Sequence, residues 1–201
     1  MSSSPRSDAR LRRWVEALVS APGLTAIDDV EEAWREHVER SLEAVEAIAA
    51  YEGPIVDVGS GGGSPGIPLA VAFPDREVTL LEAQERKAAV LERFAAEFPN
   101  VRVVRGRAEE QETDAYSVAV ARALAAPPVA AEWCLPLVRA GGVVVLYVGP
   151  TAEAERVQAV ADRVGGGRVE QRGGLILVPK VAPTPPGFPR RPGIAKKRPL
   201  A

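Results

Sequence analysis

The segment Asp57–Gly66, DVGSGGGSPG, constrains this chain more than any other, because it joins a short apolar run to a helix-like run. Pro54–Val58 has the length and apolar density of a buried strand. Pro65–Phe73 reads as a helix, with Pro68 tolerated in its first turn. Glycines between such elements let the backbone take positive φ and approach a bound molecule that a Cβ would block. The helix that follows points its free N–H groups at the same turn.

The alternation continues downstream. Further strands are expected at Glu77–Leu81, Val101–Val104, Ser117–Ala121 and Gly142–Tyr147, then near Arg168–Gln171 and Leu175–Val178. Helices are expected at Gln84–Phe98, with Ala88, Leu91 and Phe94 inward, at Pro128–Val138 and at Ala152–Val164. Strands alternating with helices of this length give βαβ units, and near-continuous apolar strands fit a sheet covered on both faces. The expected fold is a doubly wound, mostly parallel α/β sheet of Rossmann-like type. Two helices precede it. Leu11, Trp14, Val15, Leu18 and Val19 share one stripe, and Val38, Leu42, Val45 and Ile48 share another within Val30–Ala50, with Asp28 or Asp29 as its N-cap. The expected organisation is a helical extension (1–50), a main domain (51–180) and a Pro-rich basic tail (181–201).

Composition narrows the function. With 201 residues and a net charge of −2, the chain suits one core and is not a uniformly basic nucleic-acid binder. His37 is the only histidine and Cys134 the only cysteine. That argues against a histidine zinc site, multi-histidine acid–base machinery and an internal disulfide. Residues Met1 to about Asp8 read as a polar, disordered start without a signal-peptide core, and the longest apolar run, Val143–Val148, is too short for a membrane span. A cytoplasmic, monomeric protein without metal is expected.

Three chemistries use turns like Asp57–Gly66. Gly61–Gly66 fits the dinucleotide pattern G-x-G-x-x-G, Gly62–Gly66 fits the hydrolase elbow G-x-S-x-G around Ser64, and Asp57–Gly63 fits D-x-G-x-G-x-G, the methyltransferase pattern. The hydrolase needs a histidine after its serine, and none follows. Glu82, ending the second strand, suits a ribose diol in either remaining class. The Asp57 spacing and Ala108-Glu109 after the third strand favour S-adenosylmethionine.

The end of the chain is different again. From Pro179 it carries Pro183, Pro185, Pro186, Pro189, Pro192 and Pro199 with Lys180, Arg190, Arg191, Lys196, Lys197 and Arg198, and no acid follows Glu170. Such a tail is either solvated and disordered or a basic arm that contacts phosphate.

The stretch Asp57–Leu69, DVGSGGGSPGIPL, resembles the small-subunit ribosomal RNA guanine-N7 methyltransferase family, also called glucose-inhibited division protein B. Gly23–Ile27, His37 with Ser41-Leu42, Leu80–Ala83 with Arg86-Lys87, Arg107–Glu110, Ala121–Ala123, Arg190–Gly193 and Lys197–Leu200 resemble it too. The resemblance implies that Gly59 and Ser64 line the methionine side of S-adenosylmethionine, that Ala108 and Glu109 flank its adenine, and that Arg122 lies where cofactor and substrate meet. It implies a guanine in 16S ribosomal RNA as substrate. The chain departs from the pattern at Gly23, Glu36, Arg40 and Val148, where relatives usually carry Asn, Arg, Asp and Lys; Glu36 and Arg40 are spaced to pair.

The expected cofactor residues are thus Asp57, Gly59, Gly61, Gly63, Ser64, Glu82, Ala108, Glu109 and Arg122, with Arg122 also the candidate catalytic residue. Arg190, Arg191, Lys196, Lys197 and Arg198 are the candidate RNA contacts. Guanine N7 offers a lone pair and no proton, so transfer needs alignment rather than a base. An arginine can donate to the neighbouring O6 or hold a phosphate. An arginine paired with a nearby acid is the bland alternative. A methyltransferase of another RNA or a small molecule, and a non-catalytic RNA-binding relative, also fit the sequence.

Overall fold

The computed structural model describes residues 5–149 and 154–201. A seven-stranded sheet runs in the order β3-β2-β1-β4-β5-β7-β6. Its strands are β1 (Ile55–Val58), β2 (Val78–Glu82), β3 (Val101–Arg105), β4 (Tyr116–Arg122), β5 (Val138–Tyr147), β6 (Glu170–Arg172) and β7 (Leu175–Pro179). The strands β1 to β5 pair in parallel, while β7 runs antiparallel to β5 and β6 antiparallel to β7. The strand order reverses between β1 and β4, which is where open α/β sheets bind ligands.

Alternation along the strands builds two cores. Val56, Val58, Ala119, Ala121, Val144 and Leu146 face one side. There α7 (Pro127–Cys134), α8 (Ala154–Ala161) and α9 (Ile194–Lys197) cover them. Ile55, Val118, Val120, Val143 and Val145 face the other side. They meet α1 (Ala9–Ser20), α4 (Val45–Ala49), α5 (Gly66–Ala72) and α6 (Glu85–Ala95). Burial on both faces explains why these strands lack polar alternation.

The first helix matches its stripe: Leu11, Trp14, Val15 and Leu18 are buried, and Asp8 caps it by accepting from the Arg10 N–H at 2.8 Å. Met1–Ser4 lie outside the described residues, but Pro5–Ser7 form a 3-10 turn, so the expected disorder does not extend to Asp8. The second helix differs from expectation. It starts at Asp29, which caps Glu32 N–H at 2.7 Å, yet it is broken into α2 (Val30–Trp34), a π-helical turn (Arg35–Glu39), α3 (Arg40–Leu42) and α4. Two competing bonds mark the break. The Ser41 hydroxyl donates to the His37 carbonyl at 2.6 Å, and the Tyr147 hydroxyl donates to the Ser41 carbonyl at 2.5 Å. Such π turns concentrate at functional sites.

Two further corrections concern the end of the chain. Helix α7 stops at Cys134 and tightens into a 3-10 turn through Pro136, short of the expected Val138. The C-terminal segment is not disordered, although much of it stays exposed. Lys180 is 1% exposed, and its ammonium donates to the Leu135 carbonyl at 2.7 Å and to Thr184 at 2.8 Å, with Asp114 at 3.4 Å. Farther on, Phe188, Ala195, Leu200 and Ala201 pack on the α7 side of the sheet. The expected start of α8 at Ala152 lies outside the described residues.

Candidate active site

The site begins where β1 ends. Asp57 is buried and sits behind the glycine turn; its Oδ2 accepts the Gly66 N–H at 2.9 Å. Its Oδ1 has no hydrogen-bond partner among the described residues. Burial pushes the carboxyl up to about 7, against the opposing Gly66 and Ser60 hydrogen bonds. Asp57 therefore holds the turn to the start of α5 and does not line the cleft.

In front of the turn lies a cleft of about 380 Å³. Gly59, at φ 74°, forms part of its wall, and a Cβ there would lie 2.4 Å from the Leu124 side chain. Gly61, at φ 56°, donates its N–H to Glu82 Oε2 at 3.0 Å. Glu82 Oε1 accepts from Gln84 N–H at 2.8 Å. Each carboxylate oxygen retains a lone pair, so Glu82 can still accept from a ribose diol. Gly63 is held by Ser60 and faces Ile67 and Trp14 rather than the cleft.

The opposite end of the cleft is formed by Ala108 and Glu109. The Glu109 side chain is 5% exposed and its Oε1 accepts the Gly193 N–H at 3.0 Å. The C-terminal segment thus folds back onto the cleft. Lys196, expected on an RNA arm, lines it and lies 5.5 Å over the Trp133 ring. Arg190 is also committed, to a two-bond pair with buried Glu132 at 2.5 and 2.6 Å. Arg191, Lys197 and Arg198 stay exposed. Leu124, Trp133 and Lys196 are cleft residues that the sequence reading missed, since only the tertiary fold brings them to the turn.

The remaining expected residues gather beside the cleft, against the π turn. Ser64 Oγ donates to the His37 carbonyl at 3.2 Å and lies 3.0 Å from Ser41 Oγ. Arg122, at the end of β4, donates from Nη1 to the Glu36 carbonyl at 2.6 Å; its Nη2 lies 3.1 Å from His37 Nδ1 and 3.4 Å from Glu36 Oε1. The next residue, Ala123, takes φ 52°, a conformation that strains a residue with a Cβ. Burial lowers the Arg122 pKa from its usual value. Burial and the nearby Arg122 charge push His37 down to about 4, so it is neutral near pH 7. Because guanidinium only donates, Nδ1 must accept, which leaves the proton on Nε2 facing Thr25 Oγ1 at 3.0 Å. His37 therefore has no free nitrogen with which to act as a base.

A glycine cradle with a ribose-competent acid at the sheet's reversal point defines a Rossmann-like adenosyl-cofactor site, and the Asp57 spacing is the one that S-adenosylmethionine-dependent methyltransferases use. The residues fit that cofactor: Gly59 forms part of the cleft wall where a Cβ would collide with Leu124, and the buried Trp133 Nε1 at the wall has no partner among the described residues. The profile of the family described as rRNA small subunit methyltransferase G matches residues 9–165, and the chain belongs to that family. It is 38% identical to the ribosomal RNA small subunit methyltransferase G of Moorella thermoacetica, over 88% of this chain and 82% of that one. It is 36% identical to the Chloroflexus aggregans protein of the same name, over 96% and 90%. The fold resembles that of an S-adenosylmethionine-dependent methyltransferase structure from Methanococcus maripaludis, with TM-score 0.60, 15% identity and coverage of 90% and 97%. It also resembles the Thermus thermophilus 16S rRNA N2 G1207 methyltransferase, solved with its methyl donor and guanosine, with TM-score 0.51, 20% identity and coverage of 67% and 37%.

Proposed function

We propose that this protein transfers a methyl group from S-adenosylmethionine to N7 of a guanine in 16S ribosomal RNA. The observation that carries this reading is the arginine at the end of β4 beside a cofactor cradle, with the nearby histidine neutral and fully engaged. S-adenosylmethionine, when bound, supplies an electrophilic methyl carbon on a sulfonium. Glu82 would hold the ribose, and Gly59 the approach to the methionine part. Ala108 and Glu109 would flank the adenine, with Lys196 and Trp133 closing that end. Ser64 and Asp57 would act by fixing the turn. Arg122 would donate to guanine O6 or the adjoining phosphate and so align N7 for in-line attack, which needs no proton removed.

Membership of the family supports an RNA substrate, and among the described residues no helix is long and apolar enough to cross a membrane. We take the protein to act as a cytoplasmic monomer. The helical extension (1–50), the main domain (51–180) and the C-terminal segment (181–201) are parts of one folding unit, supported by the cores they share. For the RNA face we retain Arg191, Lys197 and Arg198, whose side chains lie exposed and form no ion pair among the described residues. The test uses labelled S-adenosylmethionine and small-subunit RNA lacking native modifications. Label recovered as 7-methylguanine supports the reading. Label on another nucleoside moves the target, and binding without transfer would mark a non-catalytic relative.

A further inference from the structure

Beside the cleft, two guanidinium groups share one carboxylate. Glu36 Oε1 lies 3.0 Å from Arg40 Nη1 and 3.4 Å from Arg122 Nη2. The other polar contacts of these arginines go to neutral groups: Arg40 Nη2 to the Val148 carbonyl at 3.4 Å, and Arg122 to the Glu36 carbonyl and the His37 ring. Neither arginine pairs with a second acid among the described residues. With His37 neutral, the ion-paired groups of the cluster are two cations and one carboxylate, and Asp57 adds only a longer-range attraction to Arg122.

The burial is graded. The Arg122 side chain is 12% exposed, whereas Glu36 and Arg40 are 36% and 37% exposed. Arg122 thus forms the floor, and the carboxylate is the partner that solvent can reach. A carboxylate and a phosphodiester present equivalent oxygens to such a pair of forks. Surface ion pairs with long side chains are worth little, so the exposed half of the contact is easily given up. The buried half is not: Arg122 needs an anion beside it.

We propose that Arg40 and Arg122 form an anion site for a backbone phosphate of the RNA substrate, and that Glu36 is a resident carboxylate which the phosphate displaces. The inference rests on the RNA reading above. Exchange of one anion for another keeps Arg122 paired throughout. It also taxes every weakly held RNA, because only a phosphate delivered by the rest of a correct complex outcompetes a carboxylate fixed in place. The π turn is what aims Glu36: it carries both the Glu36 carbonyl and the His37 ring toward Arg122.

The test is binding of a fluorescent RNA hairpin of arbitrary sequence across a salt series, since phosphate contacts do not depend on the base. Glu36→Gln should bind several-fold tighter than the parent, with a salt slope steeper by about 0.7–0.9, the contribution of one added phosphate contact. Arg40→Ala should bind more weakly and cancel the gain when combined with Glu36→Gln. Glu46→Gln removes an exposed charge from α4 that pairs with neither arginine, and should change little. Unchanged or weaker binding by Glu36→Gln overturns the proposal, as does an equal gain from Glu46→Gln. A parent that binds the hairpin as described yet transfers no methyl to small-subunit RNA would sink the functional reading and leave the anion site standing.

Discussion

The two walls of the candidate cofactor cleft are held by different forces. The glycine-turn wall is fixed by backbone hydrogen bonds to its neighbouring strand: Gly59 N–H and Ser60 N–H both donate to the Leu81 carbonyl, at 2.8 and 3.2 Å. The C-terminal wall hangs on side chains: the Arg190–Glu132 fork, the Glu109 bond to Gly193 N–H, and Lys196 over Trp133. The first wall has no freedom to move without breaking the sheet edge. The second can be loosened by a single charge change while the sheet persists. The cleft therefore pairs a cradle held by backbone bonds with a wall held by side chains.

The largest expected effect lies in the rigid wall. Gly61→Asp puts a Cβ at φ 56° and a second carboxylate near Glu82. Calorimetry should detect S-adenosylmethionine binding to the parent and none to the variant. Retained binding would mean that this turn does not touch the cofactor. A middle-sized effect is expected at the anchor of the wall held by side chains. Glu132→Gln leaves Arg190 without its charge partner, at a cost of about 1.5–3 kcal/mol in the docking of the segment. S-adenosylmethionine affinity should fall with it while the thermal unfolding of the sheet stays cooperative. A sequence-only view predicts that loss of the segment beyond Pro189 weakens RNA binding and spares cofactor binding; the structure predicts that both weaken. The smallest effect belongs to Lys196→Ala, which removes one cation–π contact worth about 0.5–1 kcal/mol and should lower cofactor affinity only slightly.

A pH comparison sharpens the same contrast. The folded Asp57 carboxyl titrates near 7, above its ordinary 3.8, so the native state holds a proton that the unfolded chain has lost. The contribution of Asp57 to stability therefore falls as pH rises from about 4 to about 7. His37 works in the opposite sense, because its native pKa of about 4 lies below 6.5, and its contribution rises over about pH 4 to 6.5. The two trends oppose each other in the parent. Denaturant titrations should show Asp57→Asn gaining on the parent as pH rises through that window; parallel curves would rule out a buried, protonated Asp57.

The legibility of the two walls follows from how they are held. Asp57, Gly59, Gly61 and Glu82 lie within one βαβ unit, so spacing alone places them together. Strands β1, β2, β4 and β5 were legible for a similar reason, since burial on both faces leaves an apolar run, whereas β3, half exposed at the sheet edge, was legible from its valines. The break in the second helix was not, because it depends on Tyr147, more than a hundred residues away from Ser41. The disordered reading of the C-terminal segment failed for a related reason. Its charge and proline content describe a solvated arm, and only Glu132 and Glu109, supplied by distant elements, turn Arg190 and Gly193 inward. Composition reports what a segment costs to bury and is silent on the partners that offset the cost.

The proposed chemistry methylates a base without a proton at a site where Arg122 aligns and nothing deprotonates. It is tested most directly by the single-turnover rate of methyl transfer to small-subunit RNA between about pH 7.5 and 9, above the Asp57 range. A flat profile is expected for the parent. Arg122→Ala should be folded but lose most of the rate at every pH, with little recovered by Arg122→Lys, whose ammonium is not a planar fork. A rate rising about tenfold per pH unit through this window would show an essential deprotonation. That result would contradict attack by guanine N7.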